Sequence, residues 1–110
     1  MQNVYWIYTT WPDRPGALEA ATTLVTEKLC ACTNILAPMT SVYRWQGKVE
    51  TAEETPMVLK AGGNAVNALR SRLVDLHPYD EPCFLALEVD ADASADSFLD
   101  WVRTQSATSD

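Results

Sequence analysis

Near the start of the chain, Val4–Thr10 (VYWIYTT) consists only of β-branched and aromatic residues. In an extended strand, Val4, Trp6 and Tyr8 face one way and Tyr5 and Ile7 the other. Both faces are bulky and largely apolar, so the strand requires cover on both sides. That places it in the middle of a sheet rather than at an edge. The rest of a 110-residue chain has to be arranged around it. This length suits a single domain spanning 1–110, and 47% apolar residues exclude a disordered chain.

The segments that follow change period in a fixed order. Trp11-Pro12-Asp13-Arg14-Pro15-Gly16 ends the strand; Asp13 is placed to cap a helix and Pro15 fits its first turn. Leu18, Thr22, Val25 and Leu29 then mark a helical face. Glu19 near the start and Lys28 near the end agree with the helix dipole. Thr33–Trp45 reads as extended, with a bulge or edge at Pro38, which cannot donate to a ladder. Gln46-Gly47 predicts a tight turn, and Lys48–Lys60 a returning strand, making one long hairpin. After Gly62-Gly63, Asn64 can cap a helix carrying Val66, Leu69, Leu73 and Leu76, which stops near His77 because of Pro78. Cys83–Val89 is a further strand. Ser94 can cap a final helix with Ala95, Phe98, Leu99 and Val102 on its face, and Thr104–Asp110 reads as a frayed tail. The result is an α+β, ferredoxin-like βαββαβ sandwich with a C-terminal helix. Two helices cover one face of such a sheet. The exposed hairpin and the many aromatics predict that neighbouring subunits cover the other.

Fifteen acidic against eight basic residues give a formal charge of −7. Such a surface repels nucleic acid and anionic membranes and attracts small cations. No apolar run reaches the ~18 residues of a membrane span. The N-terminus lacks the basic and apolar regions of a signal peptide. Three cysteines, Cys30, Cys32 and Cys83, cannot all pair within one chain. These features lead to the expectation of a reduced, cytoplasmic protein.

Three segments are distinctive. Cys30-Ala31-Cys32-Thr33-Asn34-Ile35, the hairpin Ser41-Val42-Tyr43-Arg44-Trp45-Gln46-Gly47-Lys48-Val49-Glu50, and His77-Pro78-Tyr79-Asp80-Glu81-Pro82 resemble, in order and spacing, segments of the CutA family. So do Glu53-Glu54 with Met57–Lys60, and Phe98–Val102. The resemblance implies a ferredoxin-like homotrimer similar to the P-II signalling proteins and associated with tolerance to copper and other divalent metals. It implies no catalytic reaction and no obligatory cofactor. Cys83 stands where a glutamate is common in that family, and Asp90–Ser94 lacks its usual glycine.

The candidate chemistry follows from residue types. Thiolates suit soft metals, Cu(I) above all, and imidazole suits Cu(II). Cys32, His77 (the single histidine) and Cys83 are therefore the expected metal ligands, with Met39 and Met57 as thioether donors. Equally, free cysteines serve as small buried residues, and His77 can brace its turn through a backbone carbonyl. Lys60, Tyr79 and Asp80 are further cleft candidates: Lys60 can hold an anion or pair with an acid, and Asp80 lies in the signature turn. Glu53, Glu54 and Glu81 are surface charges or cation ligands. Tyr43 and Trp45 are expected at subunit contacts. Three functions compete: a metal-response trimer, a P-II-like trimer binding a small organic ligand or a protein partner, and, last, a cysteine enzyme using Cys32 with His77. Neither phosphate-loop motif occurs.

Overall fold

A computed structural model describes residues 2–106. The elements are β1 (Val4–Trp11), α1 (Arg14–Thr26), β2 (Cys32–Ile35), β3 (Met39–Trp45), β4 (Lys48–Gly62), a 3-10 turn (Gly63–Ala65), α2 (Val66–Leu76), β5 (Phe84–Glu88) and α3 (Asp96–Gln105). The sheet order is β2-β4-β1-β5, with β3 paired to β4 off that path. β1 is central, as its two apolar faces require, and runs antiparallel to both β4 and β5. The architecture is the expected α+β, ferredoxin-like one.

β4 holds the sheet together. Its 15 residues pair first with β3, from Lys48 to Glu54, and then with β2 and β1. The two-residue turn at its start has φ of 50° at Gln46 and 81° at Gly47. Both values are positive, which matches the right-handed twist of the flanking strands. At Pro38 the partner strand breaks into β2 and β3, which pair only with β4, so Pro38 sits at a sheet edge rather than in a bulge.

Ile7, Trp11, Met57 and Leu59 pack beneath α1 and α2. The buried face of α1 is Ala17, Ala20, Ala21 and Leu24, not the expected Leu18–Thr22–Val25 stripe, whose Leu18 and Val25 are exposed. Both stripes have helical spacing. The alanine face lets the helix approach the sheet closely, and only Leu29, beyond the helix end, joins the core. The expected dipole pairing of α1 is absent. Glu19 lies beyond the first turn, and Lys28 lies past the C-cap with φ 61°. Asp13 does cap, accepting from the Gly16 N–H at 2.8 Å.

Two other expected caps are replaced. Asn64 does not cap α2; its own N–H donates to Gln2 Oε1 at 2.8 Å. Ser94 donates to the Asp90 carbonyl, and Ala95 takes the N-cap position of α3 without a side-chain cap. Thr104 and Gln105 belong to α3 rather than to a frayed tail. Ser106 is buried, accepting from the Gly62 N–H at 2.8 Å. The remainder of the expected tail, 107–110, lies outside the described residues.

α3 crosses to the other side of the sheet, where Leu99 and Val102 meet Val4 and Ala31. Phe98, expected on that buried face, is exposed. The cover is partial. Trp6 (38% exposed), Leu85 (58%) and Leu87 (50%) share the uncovered part of this face. Within one chain, therefore, β1 is central but not fully covered on both sides.

Candidate functional site: a cleft between hairpin and turn

The β3–β4 pairing register sets one wall of a cleft. Tyr43 opposes Glu50, and the same face continues through Trp45, Ala52 and Glu54. The turn after α2 supplies the facing wall, Pro78, Tyr79, Asp80 and Glu81. Thr10 and Cys83 complete the lining of a cleft of about 520 Å³. The Tyr79 hydroxyl donates to Glu54 Oε2 at 3.1 Å and ties the two walls together. Burial first, then the Glu54 carboxylate, pushes the Tyr79 hydroxyl up to about 12. It therefore remains a proton donor near neutral pH.

His77 positions that turn. Its Nδ1 accepts from the Tyr79 N–H at 3.1 Å, so the ring proton sits on Nε2, which donates to the Thr10 carbonyl at 2.7 Å. The ring lies against Trp11, with centroids 4.2 Å apart, and is buried. Burial lowers the His77 pKa, while the Thr10 carbonyl and Glu54 oppose the shift. Folding thus favours the neutral ring. The stability this contributes is fully present above 6.5, the ordinary value, and is lost as pH falls from there through the lowered value. A His77→Gln variant is expected to show a flatter dependence of stability on pH between about 7 and 5. Denaturant melts across that range would detect it; an unchanged slope would contradict it.

The family follows from comparison of the whole chain. The sequence model for the CutA1 divalent ion tolerance protein family matches residues 5–105. This chain belongs to the CutA family. It is 38% identical over 96 residues to the divalent-cation tolerance protein CutA of Pyrococcus horikoshii, covering 87% of this chain and 91% of that one. The crystal structure of CutA from Xylella fastidiosa superposes with a TM-score of 0.90 at 39% identity, covering 96% and 99% of the two chains. The apo form of a PII-like protein CutA from Nostoc superposes at 0.88 with 30% identity, covering 96% and 99%.

Against this CutA frame, the expected site residues divide. Tyr79, Asp80 and Cys83 enter the cleft. Cys32 does not: it lies on β2 at one edge of the sheet, and Cys83 precedes β5 at the other. Three strand spacings, about 14 Å, separate those edges. His77 has both ring nitrogens engaged. The expected ligand set Cys32, His77 and Cys83 is thus not gathered within one chain. Among the described residues no three His, Cys, Asp or Glu side chains are grouped to hold a metal ion. Cys32 opposes Lys60, itself opposite Trp6, whereas His77 lies against Thr10 and Trp11 at the end of β1, so the two are not placed as a nucleophile and base. Lys60 also lies away from the cleft. Its Nζ donates to Asn34 Oδ1 at 2.7 Å and sits 5.7 Å from the Phe98 ring centroid, so its partner within the chain is an amide. Cys30 is fully buried, which pushes its thiol up to about 12. Burial also raises Cys83, with Glu54 adding to it.

Glu50 and the cleft roles of Tyr43 and Trp45 were not singled out from sequence. The signal was present: strict alternation about Gln46-Gly47 places Tyr43, Trp45, Glu50 and Glu54 on one face.

Proposed function

We propose that the chain assembles as a homotrimer and serves tolerance to divalent metals by holding cations, copper among them, in clefts between subunits. The observation that carries this reading is the cleft lining: Glu50, Glu54, Asp80, Glu81 and Cys83, with no lysine or arginine among them. The uncovered apolar sheet face beside the cleft supports assembly. Ligands from a neighbouring subunit complete what one chain leaves open. The protein acts by binding rather than by catalysis; the protonated Cys83 thiol and the isolation of Cys32 support this. Three unpaired thiols support a reducing, cytoplasmic setting.

Metal binding by Cys83 requires loss of its proton, so affinity is expected to rise with pH. Equilibrium dialysis of the reduced protein against copper tests the site. Cys83→Ser and Glu54→Gln are each expected to weaken binding by more than about tenfold. Unchanged affinity in both would remove this cleft from metal binding.

A second reading, a P-II-like trimer that binds a small organic ligand, is favoured by one specific observation. The 520 Å³ volume is that of a small-molecule site.

A further inference from the structure

We propose that the cleft between the hairpin and the His77–Glu81 turn takes an aliphatic organic ammonium ion. The inference rests on the second reading above and names its ligand class. Three aromatic rings line the cleft. Tyr43 and Trp45 stand two residues apart on the same face of β3, and Tyr79 lines the cleft from the turn. The faces of such rings carry negative potential and attract cations within about 6 Å of the ring centre. Glu50 and Glu54 on the hairpin and Asp80 on the turn place carboxylates on both walls. Lys48 shares the hairpin face opposite Trp45 but lies at the tip, outside the lining. An organic anion would enter against this charge.

The spacing of the acids separates an ammonium ion from a metal. A bare divalent ion needs several oxygen donors converging at about 2.0–2.6 Å. Within one chain these carboxylates surround the cleft without such a cluster, since no three acidic, cysteine or histidine side chains among the described residues are grouped for a metal. A bulky ion with diffuse charge needs no convergence. It needs ring faces, carboxylates at a distance, and room for its carbon atoms. Ala52 and Pro78 supply apolar surface for that body.

Choline and its neutral isostere 3,3-dimethylbutan-1-ol are the probes, each titrated into chelator-treated full-length protein by calorimetry, with the Trp45 indole N–H followed by NMR. Choline is expected to saturate at one site per chain and to shift the Trp45 signal. The neutral isostere is expected to bind at least about tenfold more weakly. Glu50→Gln and Trp45→Leu are each expected to weaken choline binding by a similar factor. If Trp45→Leu alters assembly, the exposed Glu50→Gln decides alone. Equal binding of the isostere, no saturation at millimolar choline, or unchanged affinity in Glu50→Gln would overturn the proposal. Copper dialysis is read separately. Copper binding without choline binding overturns this inference alone; the reverse removes the metal reading and leaves this one standing.

Discussion

Trp11→Ala is expected to lower folding stability by about 3–5 kcal/mol, the range for truncating a buried aromatic. Trp11 closes β1 with its side chain 1% exposed, beneath α1 and α2. Its Nε1–H donates to Thr9 Oγ1 at 2.8 Å, and Thr9 in turn donates to the Met57 carbonyl at 2.8 Å. The indole also forms the wall against which His77 lies. Removing it opens a void in the core and frees the ring that braces the Tyr79 turn. The loss should therefore appear both as a lower denaturation midpoint and as a loosened cleft. Denaturant titration at fixed protein concentration measures it, because the proposed assembly would add a concentration-dependent contribution to apparent stability. A change below about 1 kcal/mol would mean that Trp11 is not the packing anchor described.

Leu87→Lys is expected to convert the proposed trimer to monomers while leaving the fold of each chain intact. Leu87 opposes Trp6 across β5 and β1, half exposed, on the face that α3 leaves uncovered. Leu85, Phe98 and Trp101 are exposed as well. In a lone chain, a lysine there sits in water at little cost. In an interface it is an unpaired buried charge, which costs several kcal/mol in each subunit. Each weakening of about 1.4 kcal/mol is a factor of ten in association. Sedimentation equilibrium with circular dichroism reads both halves. A variant with the wild-type mass would show that this face is not the contact.

The order of elements was legible because it rests on strong local signals. The doubly apolar Val4–Thr10, the Gln46-Gly47 turn and the His77-Pro78 stop each leave the backbone little choice. Helix faces were less legible where two stripes compete. In α1 the larger side chains of Leu18 and Val25 attract attention, yet the buried stripe is Ala17, Ala20, Ala21 and Leu24, whose small side chains let the helix lie close on the sheet. Expected caps failed where another hydrogen bond engaged the residue: the Asn64 N–H donates to Gln2, and the Ser94 hydroxyl donates to the Asp90 carbonyl. The cleft was half legible. Tyr79 and Asp80 stand out in their turn. Alternation about Gln46-Gly47 puts Glu50 and Trp45 on one hairpin face, but only the tertiary fold brings that face against the Tyr79 turn. Cys32 and His77 carry suitable chemistry, but their positions are decided by tertiary packing: one on an edge strand, the other locked between Thr10 and Tyr79.

Native mass spectrometry of the reduced, purified protein, with and without excess copper, tests the central claim most directly. It reports subunit number and bound metal in one spectrum. The account predicts three chains per particle, carrying whole numbers of copper ions that survive desalting. A monomer would contradict the assembly proposed to cover the apolar sheet face, and a trimer that stays free of copper would contradict the metal-holding cleft.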